Sequence, residues 1–260
     1  MEFVNKIIKN KVFITIIIVV VILMLCFGIY RVAKYLYLKK KTLIVLVKGV
    51  KDARIYSKIE LGDQLDTLTP GLEYTFSGWF YIKDLDYKYG RAKHLFHLGD
   101  PNGTNVSPGV WLHPKNNNLI IRMHTHNRGT ESLNPDINLE IEKNCDIENI
   151  EVQRWMHLAI VLQNKTLDVY INGQLRRSCT YKNVPKTNNT GSVHINKDGG
   201  FDGIVSDLFY SNIAYSAPSI HDIYRGGHNN INLKYYFAKL YPSVHQLKAN
   251  INNLKKCIAE

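Results

Sequence analysis

The chain has 260 residues, 45% of them hydrophobic, and a formal net charge of +11, enough for one domain of the usual ~100–200 residues with appendages. Ten Lys and Arg against Glu2 give residues 1–51 a charge of +9, five Lys against Glu260 give residues 229–260 +4, and residues 52–228 are left at −2. A nearly neutral middle excludes the nucleic-acid binder that the total charge suggests, because such a protein needs its basic surface on the folded part.

Residues 1–11 form a short basic tail with Lys6, Lys9 and Lys11. From Val12 to Tyr30 the sequence reads VFITIIIVVVILMLCFGIY, uncharged and with Thr15 its one clearly polar residue. A helix of that length, rising 1.5 Å per residue, matches the roughly 30 Å hydrocarbon core of a bilayer, so the segment predicts a transmembrane helix. A cleaved signal peptide would carry a shorter apolar run and a small-residue cleavage site. Here RVAKYLYLKKK follows instead, a basic linker over 31–42, and an uncleaved signal-anchor fits better. The linker's cations suit anionic headgroups, at about 1 kcal/mol each. Cations on both sides of the span leave its orientation open, the larger number following it. The sequons at Asn102, Asn105, Asn164 and Asn188 pull the other way, being glycosylated only in a secretory lumen.

Beyond the linker the pattern changes to short alternating runs bounded by Gly, Pro, Asn and Asp, the signature of antiparallel strands. In EYTFSGWFYI, Tyr74, Phe76, Phe80 and Ile82 share one face, and Thr75, Ser77, Trp79 and Tyr81 the other, so this strand is expected to be covered on both sides. NNLIIRMH begins with a turn at Asn116–Asn118 and sets Leu119, Ile121 and Met123 on a common face. RWMHLAIVLQNKTLDVYINGQL reads as a β-hairpin, with Met156, Leu158, Ile160 and Leu162 facing the same way as Leu167, Val169 and Ile171. Asn172-Gly173 supplies the positive φ values of a further tight turn. The last strand runs from Gly203 to Tyr210, and a short helix follows with Ser216 as N-cap, Pro218 in its first turn and Gly226-Gly227 as its stop. Many short strands with one small helix predict an all-β sandwich or jelly roll. Cys145 and Cys179 flank the hairpin and can pair in an oxidising compartment if their Cα atoms come within about 7 Å. Cys26 is a small hydrophobe in the apolar segment, and Cys257 lies in the tail over 229–260, which is expected to pack back on the domain.

These residues carry a resemblance. WMHLAIVLQNKTLDVYINGQL resembles the paired central strands of the laminin-G-like, concanavalin A-like lectin/glucanase family, with Trp155, Tyr170, Asn172 and Gly173 in the family's places. GFDGIVSDLFYSNIAYSAPSIHDIYRGG resembles the family's last strand and short helix, and EYTFSGWFYI its early strand. The resemblance covers about residues 43–228 and implies an antiparallel, concanavalin A-like sandwich. LIVLVKGVKDA, CDIENIEVQRW and the anchor look most like members encoded by large DNA viruses.

Function is less constrained than fold. Relatives that are glucanases carry E-x-D-x-E on one strand, and Glu140 with Glu142 is the nearest match, lacking the Asp and the third carboxylate that two-carboxylate hydrolysis draws on. His124 and His126 would point the same way on a strand, as a metal pair requires, but have no third partner at a telling spacing. Members with calcium hold it at the sandwich rim by oxygen ligands, for which Asp100, Asn102, Asp198 and Asp202 are candidates; each is also what an ordinary turn selects. Sugar recognition asks for an aromatic beside polar groups, and the candidates are Trp111, His113, His124, His126 and Asn127. Trp111, like Trp79 and Trp155, also reads as a core residue. The reading is a non-enzymatic binding module anchored in a lipid bilayer, requiring no cofactor and presenting rim loops to a glycan or a protein. The alternatives are a structural membrane protein of a virion and, third, a glycoside hydrolase.

Overall fold

The computed structural model describes residues 15–31, 43–61, 72–103, 105–126, 135, 145–186 and 192–228. A helix, α1, covers residues 15–31. Then come β1 Leu43–Val45, β2 Val50–Asp52, β3 Ser57–Glu60, β4 Glu73–Asp84, β5 Lys93–Gly99, β6 Val106–Leu112, β7 Leu119–Arg122, β8 Trp155–Gln163, β9 Thr166–Ile171, β10 Gln174–Thr180, β11 Ser192–Ile195 and β12 Asp202–Ser211, and a closing helix α2, Ala217–Gly226. One sheet has the order β1-β12-β4-β8-β9-β10 with β2 also on β12; the other has β3-β11-β5-β6-β7. All pairings are antiparallel. The all-β sandwich expected from the sequence is what forms.

Alternation builds the core between the sheets. Tyr74, Phe76, Phe80 and Ile82 of β4 point inward with Met156, Leu158, Ile160 and Leu162 of β8 and Leu167, Val169 and Ile171 of β9. From the facing sheet come Phe96, Leu98, Leu119, Ile121 and Val193. Phe76 and Phe80 meet Phe96 across the gap at ring separations of 5.3 and 6.2 Å, contacts worth about 0.5–1.5 kcal/mol each beyond their buried area. At Gly78 the inward face has no room, since a Cβ there would lie 2.7 Å from Leu208 Cδ1 and 3.1 Å from its Cα. Gly78→Ala is therefore expected to cost about 1–3 kcal/mol by overpacking, read as a lower urea midpoint; an unchanged midpoint would mean that β12 shifts freely.

The outer face of β4 is covered as well. Ala159, Val161, Tyr170, Phe209 and Tyr215 pack there under Ile220 and Ile223 of α2. The helix starts after Ser216, has Pro218 in its first turn and ends at Gly227. Ser216 makes no side-chain capping bond and its hydroxyl meets that of Ser219 at 2.9 Å. The Asn172-Gly173 turn takes φ values of 51° and 75°.

Two expectations are corrected, and a third, the membrane span, finds no support among the described residues. No helix among them is long and apolar enough to cross a membrane, and the segment expected to span, residues 12–30, is described only from residue 15. The apolar side chains of α1 are nonetheless exposed along its length. The three tryptophans are not in the inter-sheet core: Trp79 packs on Tyr224 outside β4 at 5.7 Å, Trp111 lies outside the other sheet with Val106 and Ile120, and Trp155 is half-buried. Alternation from the inward residues beside them sends all three outward. Finally, β7 ends at Arg122, so His124 and His126 do not share a strand face; the first is buried and the second exposed.

Candidate functional site

Two loops far apart in sequence meet at the sandwich rim. One is 53–56, between β2 and β3; the other is the turn Lys197–Gly199 after β11. Ala53 joins them, its N–H donating to Gly203 O at 3.0 Å and its carbonyl accepting from Phe201 N at 3.3 Å. Gly200 makes the approach possible: its φ is 50° and a Cβ would sit 1.9 Å from Ala53 O. Asn196, also at positive φ (55°), a conformation Asn tolerates better than most residues, donates its side-chain amide to Ile55 O at 3.3 Å and its backbone N–H to Leu95 O at 2.8 Å.

Between these loops and the sheets lies a cleft of about 240 Å³. Val47, Ile195 and Val205 give it a buried apolar floor, Lys51, Asp52, Ser57 and Asn196 give it polar sides, and Ile55 lies at its mouth. The volume is below the ~300–1,000 Å³ of drug-sized ligand sites and suits a single small ring. Asn196 is 2% exposed, and its Oδ1 has no hydrogen-bond partner among the described residues. Ile55 stands out at 65% exposure, so an aliphatic side chain flanks the polar groups at the opening, while Tyr56 next to it meets His194 Nδ1 through its hydroxyl at 2.7 Å.

Beside the cleft, Arg54 pairs with Asp202 and lies over the Tyr87 ring at 5.6 Å. The Asp202 hydrogen bond and charge hold the guanidinium's pKa above its ordinary value. Tyr87 donates to Gly199 O at 3.0 Å, and Lys88 donates to Asp198 O. Behind the cleft three histidines, His94, His97 and His194, are buried on the outer face of the five-stranded sheet. Burial is the main cause that pushes all three below their ordinary pKa, His97 to about 4.

The residues expected from the sequence do not assemble into one site. Trp111 is buried, with its ring over Gly109. His113 Nδ1 accepts from the N–H groups of Lys115 and Asn116 in a turn, and His124 Nδ1 accepts from Val106 N at 3.0 Å. His126 is exposed, and Asn127, Glu140, Glu142, Asn188 and the tail over 229–260 lie outside the described residues. The four calcium candidates do not converge. Asp100 and Asn102 follow one end of β5, where Asp100 Oδ1 accepts from Asn102 N at 3.0 Å. Asp198 sits beside the other end, since Lys197 reaches His94, and Asp202 is held by Arg54. Among the described residues no three His, Cys, Asp or Glu side chains could hold a metal ion. Asn102 and Asn164 are exposed and Asn105 half-buried. Cys145 and Cys179 form a disulfide with Cα atoms 5.9 Å apart. Sequence reasoning passed over Asp52, Ile55, Ser57 and Asn196; the turn-rich strings KDARIYS and INKDGG marked both loops without indicating that they meet.

The family model described as the concanavalin A-like lectin/glucanases superfamily matches residues 53–221. No curated protein sequence matches the chain. Among solved structures, the receptor binding domain of botulinum neurotoxin C/D mosaic serotype is similar, with TM-score 0.50 and 15% identity over 72% of this chain and 46% of that one. The botulinum neurotoxin serotype D ligand binding domain in complex with N-acetylneuraminic acid gives 0.47 and 14%, over 72% and 46%. Domain 4 of AbnA, a GH43 extracellular arabinanase from Geobacillus stearothermophilus in complex with arabinotriose, gives 0.41 and 19%, over 70% and 87%. The chain thus spans about half the length of the toxin domains, and these likenesses concern the fold.

Proposed function

This chain belongs to the concanavalin A-like lectin/glucanase superfamily, and we propose that within it the chain is a membrane-anchored, non-enzymatic module that binds a glycan in its rim cleft. The observation that carries the reading is the cleft itself: an apolar floor under Asp52, Ser57 and Asn196, with Ile55 at its mouth. Such a site can take the apolar face of a sugar ring while polar groups orient its hydroxyls. Glycoside hydrolysis asks for two carboxyl groups flanking the bond, and among the described residues Asp52 is the one carboxylate lining the cleft. Anchoring is supported by the exposed apolar side chains of α1 and the uncharged run from Val12 to Tyr30. The Cys145–Cys179 disulfide supports a domain facing an oxidising compartment.

The test is a glycan array probed with the full chain in detergent micelles, beside the double variant Asp52→Ala/Ile55→Ala. Both residues are exposed, so folding stability should stay within about 0.5 kcal/mol. Retention of any glycan hit should fall at least about tenfold, a loss of roughly 1.4 kcal/mol. Undiminished binding by the variant would place the ligand elsewhere, and an array with no hits would sink the lectin reading.

A further inference from the structure

The walls of the cleft are braced by the three buried histidines, and the partners fix where each proton sits. The backbone N–H of Lys197 can only donate, so His94 Nδ1 accepts from it, at 3.0 Å. The carbonyl of Asp100 can only accept, so His97 Nε2 donates to it, at 2.9 Å. Neutral His94 then carries its proton on Nε2 and donates to His97 Nδ1, 2.6 Å away. This run from Lys197 to Asp100 is complete only with both imidazoles neutral. His194 stacks on His97 at 4.6 Å, and its Nδ1 meets the Tyr56 hydroxyl at 2.7 Å. One end of the system therefore holds the 195–197 wall and the other holds Tyr56. The charged groups facing it are Lys58 of β3, Lys197 of the turn and Asp100 after β5.

We propose that the cleft is acid-labile: proton uptake by the His94–His97 pair, on which His194 stacks, breaks the Lys197–His94 bond behind its wall, loosens that wall and releases the ligand. This rests on the cleft being the binding site. A proton added to His94 Nδ1 faces the Lys197 N–H, and one added to His97 Nδ1 faces the His94 Nε2–H, so each costs a hydrogen bond. Once the wall has moved away the imidazoles are wet and titrate near 6.5. Every histidine so released makes opening about tenfold more favourable per pH unit below that value. For His97 this continues to about pH 4, where it takes a proton in the closed form.

The experiment is amide-resolved hydrogen exchange on the full chain in micelles at pH 6.5 and 4.5, without ligand. The Lys197 amide reports the wall, and those of Leu158 and Ile160, within the β4–β8 ladder, report global unfolding. Lys197 protection is expected to fall up to about 50-fold per coupled histidine over these two units, half of each wet imidazole being protonated at pH 6.5 already, and to drop below that of the ladder. His94→Gln keeps an acceptor and a donor but does not titrate, and should remove about 50-fold of the fall. Should that variant not fold, a nitrogen-15 titration of the His94 imidazole in the native chain, followed against Lys197 exchange, serves instead, and the two midpoints should coincide. Equal protection of Lys197 and the ladder at pH 4.5, or no pH dependence at Lys197, would overturn the proposal. A wall that opens with acid on a chain that retains no glycan would sink the binding reading and leave the acid response standing.

Discussion

Acidification from pH 6.5 to pH 4 is expected to remove about 6 kcal/mol of folding stability through His97 and His157 alone. Burial pushes His97 to about 4 and His157 to about 3. His157 lies outside β4, against Trp79 at 5.1 Å, with Nε2 on the Ser77 hydroxyl at 2.8 Å. Its Nδ1 has no partner among the described residues. In the unfolded chain both imidazoles take a proton near 6.5. Between that value and the folded one the unfolded state therefore binds more protons, and stability falls as pH falls. It is fully present above 6.5, and the loss ends only below the folded values. Since small domains hold about 5–15 kcal/mol in all, a large part of the reserve disappears. Urea melts at pH 7, 5.5 and 4.5 should show a falling midpoint, and His157→Phe should flatten the slope by about 1.4 kcal/mol per pH unit. A midpoint constant across this range would mean that neither histidine is buried neutral.

Asp146→Ala should destabilise the fold by about 1.5–3 kcal/mol, the worth of hydrogen bonds made to a charged group. Arg122 at the end of β7 is 0% exposed and pairs with Asp146 through both terminal guanidinium nitrogens, Nη1 and Nη2. The carboxylate also accepts from Ile121 N at 3.0 Å, and the adjacent Ile147 bridges to Leu119, so the pair fastens residues 146–147 to the edge of the five-stranded sheet. Arg122→Met in the same chain should recover most of the loss, because a buried pair replaced by apolar side chains is often neutral. A loss under about 1 kcal/mol in the single variant would show that water reaches Arg122.

The sequence places Arg122 opposite Leu119, Ile121 and Met123, where a charge reads as solvent-facing. Its burial depends on the 145–147 segment, which comes from beyond the next loop. His124 follows the same logic: the residue pattern continues the strand, but β7 stops at Arg122 and Val106 N claims the ring. Local alternation says which way a side chain points and not what waits there. Trp79, Trp111 and Trp155 teach this too, being outward by alternation yet covered or half-covered by elements that alternation cannot see.

By itself the sequence determined the strands whose inward residues recur every second position, the β8–β9 hairpin, the Asn172-Gly173 turn, the short closing helix and the sandwich class, because each follows from short-range sterics and the burial of one face. Only the tertiary structure decided the site. Ile55 and Asn196 stand 141 residues apart, and nothing local to either string records that Ala53 O and Gly200 come together between them. His94 and His97 likewise become a directional hydrogen-bonded run only in the folded sheet, and the β5–β11 register sets His194 beside His97. Burial and partner choice are properties of the packed sheets, and those belong to the whole chain.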